Sequence, residues 1–314
     1  MLKVGLVGVG GISGAHIPAW EEMKNAELVA LCDIRPERME KYSGKHCYTD
    51  FDEMLENEQL DILDICLPTY LHADFAVKAM EKGINVITEK PISLKEEDVD
   101  RVYGAAEKNG VKFMVAQVLR FWPEYVLLKE IYDTKKYGKL LSGTMIRLGG
   151  FPRWTWDNWM ADEKRSGLVP FDLHIHDLDF MVYAFGMPEV KYQSRTKFAD
   201  RDYICINYDF GEFSVNCESS WYKTDFPFAA EFRFQFEDAV VCNENGKMII
   251  YLEGDKKIDL SQQAEGDTGS INLPKSDAYA NELIYFADCV ENNKPVDKFK
   301  PEEFRCVLNI LNNL

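Results

Sequence analysis

Two short stretches of this sequence hold the residue types that proton and charge transfer need. Glu89-Lys90-Pro91 closes an apolar run of strand character, Asn85-Val86-Ile87-Thr88. A lysine at the carboxyl end of a strand in an open α/β sheet faces the crevice where such sheets hold ligands. A cation there stabilises the negative charge that develops on an alcohol oxygen as hydride leaves carbon. The second stretch carries Asp172 and His176, among apolar residues (Phe171, Ile175, Leu178, Val182, Phe185) that recur three and four apart. The spacing predicts a helix from about Pro170 to Phe185, closed by Gly186 and Pro188. On it Asp172 and His176 are stacked neighbours, about 5–6 Å apart at Cβ, and Asp179 continues their stripe. A carboxylate beside an imidazole orients it and raises its pKa, which suits a proton acceptor near neutral pH. The same spacing also serves a purely structural polar pair. His174 points elsewhere, because two residues turn a helix by about 200°. His174 and His176 are therefore a poor metal pair, and no metal is expected.

The lysine-bearing strand belongs to a unit opened by Lys3–Val7 and the turn Gly8-Val9-Gly10-Gly11-Ile12-Ser13. Gly8 permits a tight turn and Gly10 lets backbone approach a pyrophosphate. The helix start that follows supplies N–H donors and the positive end of a dipole. Ser13 stands where this fingerprint has a third glycine. Asp33 ends the second strand, 23 residues after Gly10. That is where an acid would accept hydrogen bonds from a ribose 2′-hydroxyl and repel a 2′-phosphate. NAD is thus expected rather than NADP, although Arg35 is placed to pair with a phosphate. The other reading of Asp33 is a cap for a helix starting at Pro36.

Residues 1 to about 118 alternate apolar strands (Lys3–Val7, Leu28–Cys32, Ile62–Leu67, Asn85–Thr88, Lys112–Val115) with helical patterns near Ile12–Met23, Pro36–Tyr42, His72–Lys82 and Glu96–Asn109. Continuous apolar runs between helices mean parallel β-α-β units. Gly83 and Gly110 sit where helix C-caps belong. After Arg120 the texture changes. A helix over Glu124–Lys135 and a strand over Leu140–Leu148 precede period-two strands from about Val190 to Tyr251. In Phe228–Phe236, for example, Phe228, Ala230, Phe232, Phe234 and Phe236 face one way. Helices near Ala278–Val290 and Pro301–Asn312 finish the chain. The fold class is α/β plus α+β: a dinucleotide-binding Rossmann domain over 1–120, then an α+β domain over 121–314 on an open, mostly antiparallel sheet.

The chain has 314 residues and a net charge of -17. Such a field repels phosphate backbones and anionic membranes, which argues against nucleic-acid and membrane partners. None of the eight cysteines forms a C-x-x-C pair. They read as buried free thiols of a reducing compartment, and the sequence suggests a cytoplasmic protein. Arg153-Trp154-Thr155-Trp156-Asp157-Asn158-Trp159 puts three tryptophans in six residues. On a loop they would either stack on sugar faces or pack the loop onto the body, and Trp156 is a candidate for binding substrate.

Together these residues resemble the glucose–fructose oxidoreductase and inositol dehydrogenase family. The resemblance rests on Gly8-Val9-Gly10-Gly11-Ile12 with His16, Asp33, Pro68-Thr69-Tyr70-Leu71-His72, Glu89-Lys90-Pro91, Arg120-Phe121 and Asp172 through Asp179. It implies that Lys90 contacts the reacting hydroxyl and the nicotinamide ribose. Asp172 and His176 would be active-site residues, with His176 the general base. Pro68, Thr69 and His72 would lie along the cofactor, Glu89 and Gln117 would approach the nicotinamide end, and Pro91 would be cis. The resemblance further implies a homodimer or homotetramer built through the second sheet. Ser166-Gly167-Leu168-Val169-Pro170 has fewer glycines than the family's usual run there. The expected function is NAD-dependent hydride transfer from a secondary hydroxyl of a sugar, sugar derivative or cyclitol. The alternatives are an NAD-dependent glycosidase working by transient oxidation, and a non-catalytic NAD-binding sensor of the same fold.

Overall fold

The apolar runs of the first third become the strands of one parallel sheet, because strands covered on both faces have no polar side to show. In the computed structural model, which describes residues 1–261 and 277–314, these are β1 (Leu2–Val7), β2 (Ala26–Cys32), β3 (His46–Tyr48), β4 (Ile62–Ile65), β5 (Asn85–Glu89) and β6 (Phe113–Ala116). Their order is β3-β2-β1-β4-β5-β6, every pair parallel. The strand order reverses between β1 and β4, so the turns leaving those strands flank the crevice of a doubly wound sheet. Helices Ser13–Glu22, Phe51–Asn57, His72–Glu81 and Glu97–Asn109 cross over between strands. Gly110 caps the last of these at φ 66°.

Two elements differ from the sequence reading. The helix expected over Pro36–Tyr42 is only a 3₁₀ turn, Pro36–Arg38, with no buried side chain. Beyond it only Met39 is buried before Tyr42, and one side chain does not offset the cost of nucleating a longer helix. β3 and the helix Phe51–Asn57 were not foreseen. That helix starts at Asp50, whose side chain accepts from Glu53 N, and buries Phe51, Met54 and Leu55.

The second sheet comprises β7 (Leu140–Gly150), β8 (Glu189–Phe198), β9 (Arg201–Asp209), β10 (Ser214–Tyr222), β11 (Ala229–Phe236), β12 (Ala239–Glu244), β13 (Lys247–Leu252) and β14 (Lys256–Asp259). Its order is β14-β13-β12-β11-β7-β10-β9-β8. All pairs are antiparallel except β7 with β10. The alternation holds where one face is covered: Ile204, Ile206 and Tyr208 on β9, and Phe232, Phe234 and Phe236 on β11, are buried. Phe228 and Ala230, placed on the same face by the sequence pattern, are only half-buried.

The described residues group into two compact units. One contains Met1–Val118 and the helix Ala278–Glu291. The other runs on from Leu119 and takes back Cys306–Leu314. A second domain running unbroken over 121–314 is therefore not what the contacts draw, because the helix Ala278–Glu291 packs on Ser13–Glu22. Among the described residues no helix is long and apolar enough to cross a membrane.

Candidate active site

In the first unit the glycine turn has the shape a pyrophosphate needs. Gly8 stands at φ +95°, and a Cβ there would lie 2.5 Å from Cys66 O. A Cβ on Gly10 would meet nothing within 4 Å, so that position faces open space. Gly11 and Ile12 lead into the helix Ser13–Glu22, whose first turn holds no acid and whose start has no side-chain cap. Ser13 is buried and its Oγ donates to Gly10 O at 2.8 Å, so the hydroxyl braces the turn where the fingerprint has glycine. Asp33 is 6% exposed. Its Oδ2 accepts from Val9 N at 2.8 Å, and its Oδ1 accepts from Arg35 N at 2.9 Å and Arg35 Nε at 3.2 Å. The acid thus ties the end of β2 to the glycine turn, and Arg35 lies against it.

Glu89, Lys90 and Pro91 leave the end of β5 through a cis Lys90–Pro91 bond. Glu89 is buried and its Oε2 accepts from Lys90 N at 3.1 Å, while Lys90 is half-buried. Pro68 is half-buried and Thr69 buried in the turn after β4. His72 is fully enclosed, with Nδ1 2.7 Å from Pro91 O and Nε2 2.6 Å from Leu67 O. It joins the loop after β4 to the loop after β5. Burial pulls its pKa below the ordinary histidine value, against the two carbonyls that favour the cation. Gln117 is buried beyond β6, and its Nε2 has no hydrogen-bond partner among the described residues. Open space at Gly10, an uncapped helix start and an orphaned amide donor all fit a dinucleotide.

In the second unit the segment Pro170–His174 is a π-helical turn that runs into the α-helix Ile175–Phe185. Ile175 N reaches back five residues to Pro170 O. The residue before Val169, Leu168, sits at φ 60°. A Cβ on Gly167 would run into the Phe171 ring at 2.3 Å. Such π-turns and left-handed non-glycine residues recur at functional sites. They also mean that Asp172 is not one ideal α-turn from His176.

From Phe171 to Val182 every residue is buried except Asp172 and His176, which are half-exposed. The helix's other polar side chains are spent internally. Asp179, which the sequence put on the same stripe, forms a fully buried pair with Arg120 at 2.7 and 2.9 Å. Asp177 pairs with Arg147 at 2.7 and 3.1 Å. His174 lies between Ser219 Oγ at 3.0 Å and Tyr208 Oη at 2.7 Å. The tryptophan loop does not fold flat: Trp154 is 63% exposed and Trp156 41%. Asp157 and Asn158 turn it at φ 50° and 48°, and Arg165 donates to Asp157 Oδ2 at 2.8 Å.

Three polar residues central to the first unit were not singled out as site residues: Asp64, His16 and Glu282. Asp64 had a signal, since a charge inside the run Ile62-Leu63-Asp64-Ile65 needs a buried partner.

Residues 2–117 match the family described as "Oxidoreductase family, NAD-binding Rossmann fold", GFO_IDH_MocA. Residues 125–242 match the GFO/IDH/MocA C-terminal domain. The chain is 29% identical over 226 residues to 2,7-anhydro-N-acetylneuraminate hydratase of Mediterraneibacter gnavus, covering 68% of this chain and 60% of that protein. It is 31% identical over 189 residues to inositol 2-dehydrogenase of Salmonella paratyphi B, covering 57% of this chain and 53% of that one. The chain thus matches roughly half to three-fifths of the length of these relatives. Levoglucosan dehydrogenase in complex with NADH shares the fold, with a TM-score of 0.84 at 17% identity over 99% of this chain and 95% of that one. With both of its domain matches in place and in order, the chain belongs to the GFO/IDH/MocA oxidoreductase family.

Proposed function

We propose that this protein is an NAD-dependent dehydrogenase acting on a secondary hydroxyl of a sugar, sugar derivative or cyclitol. The observation that carries the reading is the helix on which Asp172 and His176 alone stay half-exposed while every neighbour from Phe171 to Val182 is buried. Two polar groups kept half-exposed on an otherwise buried element can be reached by a substrate.

Gly8, Gly10, Gly11 and Ile12 hold the pyrophosphate on the helix start. Asp33 takes the ribose hydroxyls, with Arg35 beside it. Pro68, Thr69, Glu89 and Gln117 line the nicotinamide half, and His72 fixes the loops that carry Pro68 and Pro91. The dinucleotide, when bound, supplies the hydride acceptor. His176 takes the hydroxyl proton, and Asp172 orients the substrate or the imidazole. Lys90 stabilises the negative charge on the departing proton's oxygen. Trp156 offers a ring face to the substrate. The names of two relatives, inositol 2-dehydrogenase and levoglucosan dehydrogenase, support a polyol or sugar substrate.

The test is a panel of sugars and cyclitols with NAD and with NADP, followed at the reduced-nicotinamide absorbance. Lys90→Ala should lower kcat/KM by several kcal/mol equivalent of transition-state stabilisation, on the order of 100-fold or more. Wild-type turnover by that variant would end the mechanism. The hydratase relative favours one second reading, a reaction with transient oxidation and no net cofactor turnover. Substrate conversion with catalytic NAD and no accumulating NADH would select it. Exposed Tyr192 on β8 and Tyr251 on β13 support a homodimer or homotetramer through the second sheet, to be read by light scattering.

A further inference from the structure

The first unit contains a buried polar cluster of which the reading above uses only Glu89. His16, on the helix Ser13–Glu22, is closed from solvent. Its Nδ1 lies 2.8 Å from Asp64 Oδ2 on β4, and its Nε2 lies 3.1 Å from Glu89 Oε1 at the end of β5. Trp20, one turn along, donates from Nε1 to the same Asp64 oxygen at 2.7 Å. Cys66 Sγ stands 3.6 Å from the other Asp64 oxygen. The second Glu89 oxygen accepts from Lys90 N. The helix Ala278–Glu291 brings in Glu282, which is 0% exposed. A Glu282 oxygen, a His16 ring nitrogen and a Glu89 oxygen all lie within 4.8 Å of one another. Neither Glu282 oxygen has a hydrogen-bond partner among the described residues. The Tyr279 ring lies 6.3 Å from that of His16.

The charges can be assigned from this geometry. An imidazole with a carboxylate oxygen at each nitrogen satisfies both only as imidazolium, donating twice. One cation between Asp64 and Glu89 leaves a single negative charge in excess. A second, on Glu282, would be an unpaired buried carboxylate, which is prohibitive. Glu282 is therefore the member that keeps its proton. Burial acts on both groups in the expected senses. It pushes the Glu282 carboxyl well above the usual range, with Glu89 and Asp64 adding to the effect and His16 opposing it. On His16 burial opposes the charge, but the Asp64 carboxylate outweighs it and the pKa stands well above the ordinary value.

We propose that His16 and Glu282 are positioning residues for Lys90, acting through Glu89. Both Glu89 oxygens are committed, one to the His16 ring and one to the Lys90 backbone N–H. The imidazolium therefore fixes the carboxylate that fixes the turn from which the ammonium projects. Charge-assisted bonds of this kind are short and hold geometry. Glu282 contributes shape and a proton without adding charge. The proposal rests on the reading of Lys90 as the cation that meets the substrate oxygen.

The test uses the full chain. In a ¹⁵N-labelled protein titrated from pH 5 to 9, both ring nitrogens of His16, assigned with His16→Gln, should stay protonated well above the ordinary histidine midpoint. With lysines ¹³C-methylated and Lys90 assigned by Lys90→Arg, His16→Gln should move the Lys90 midpoint by about half a unit, roughly threefold in its protonation equilibrium. Glu282→Ala should move it likewise, and Glu282→Gln, neutral and of the same shape, should restore it. If His16→Gln does not fold, the Ala and Gln variants of Glu282 carry the comparison. A neutral His16 at pH 7, an unmoved Lys90 midpoint in the folded variants, or stoichiometric divalent metal in the purified wild type would overturn the proposal. Wild-type turnover by Lys90→Ala would remove the reading of Lys90 itself. An inactive Lys90→Ala with an unmoved midpoint removes only the present proposal.

Discussion

Replacing His174 by glutamine separates two histidines that stand two residues apart and do opposite things. His174 is 0% exposed, and its ring stacks on Tyr208 with centroids 5.8 Å apart. Its two partners are hydroxyls, Ser219 Oγ and Tyr208 Oη, which can each donate or accept. A neutral imidazole is therefore fully satisfied, donating from one nitrogen and accepting at the other. The cation would have no carboxylate at either ring nitrogen, since both hydrogen bonds go to hydroxyls. Burial first, and the Arg147 charge second, lower its pKa to about 3. The unfolded value is about 6.5, so the folded state favours the neutral ring. Its stability contribution is whole above pH 6.5 and is lost as pH falls toward 3. At pH 5, about 1.5 units below the unfolded pKa, the loss is about 2 kcal/mol. Urea unfolding at pH 7.5 and 5.0, followed by tryptophan fluorescence, reads the second unit, because every tryptophan but Trp20 belongs to it. The wild type should lose about 2 kcal/mol more than His174→Gln over that interval. The turnover pH profile of His174→Gln should match wild type, whereas His176→Gln should lose turnover. An equal acid loss in both proteins, or an acid limb of turnover that disappears with His174, would refute the assignment.

Three further single substitutions and one double variant probe the two units. Gly8→Ala drives a Cβ to 2.5 Å from Cys66 O at φ +95°, and should cost about 2 kcal/mol or more in urea unfolding and abolish NAD binding by calorimetric titration. Asp33→Ala releases Val9 N and Arg35 together. NAD affinity should fall on the order of tenfold and the NAD-to-NADP ratio of kcat/KM should drop with it, whereas an unchanged ratio would deny Asp33 a part in cofactor choice. Arg120→Met strands Asp179, its fully buried partner, and should cost about 3–5 kcal/mol. Arg120→Met with Asp179→Leu should recover most of that loss in the same unfolding assay, because the pair is a packing unit rather than part of the chemistry.

The order and type of the main elements were readable because their causes are local. Parallel strands announce themselves as unbroken apolar runs, and Gly8, Gly10 and Asp33 carry their geometry in residue type and spacing. β3 was not readable, since its three residues, two exposed and one half-buried, give no pattern. The helix expected from Pro36 shows the converse error. A proline start and polar residues suit a helix, yet Met39 is the one buried side chain between Pro36 and Tyr42, too little for an apolar face.

The chemistry-bearing helix shows where local reading stops. Asp172, His174, His176, Asp177 and Asp179 are all of the types that move protons, and helical spacing alone grouped Asp172, His176 and Asp179. What sorts them is the set of partners brought from elsewhere in the chain: Arg120, 59 residues from Asp179; Arg147, 30 from Asp177; and Tyr208 and Ser219, 34 and 45 from His174. Each of those partners also sits in a stretch that reads as ordinary core. Asp172 and His176 differ from His174, Asp177 and Asp179 in staying half-exposed. The same logic runs in the first unit, where Asp64 and Glu282 look like faults in apolar patterns until His16 is placed between them. A polar residue in an apolar run thus signals an obligation to be met in three dimensions. Two kinds can then be told apart by charge count: clusters that balance, such as Arg120 with Asp179, and clusters that do not, such as His16 with Asp64, Glu89 and Glu282, where a proton must be stored and function can be coupled to it.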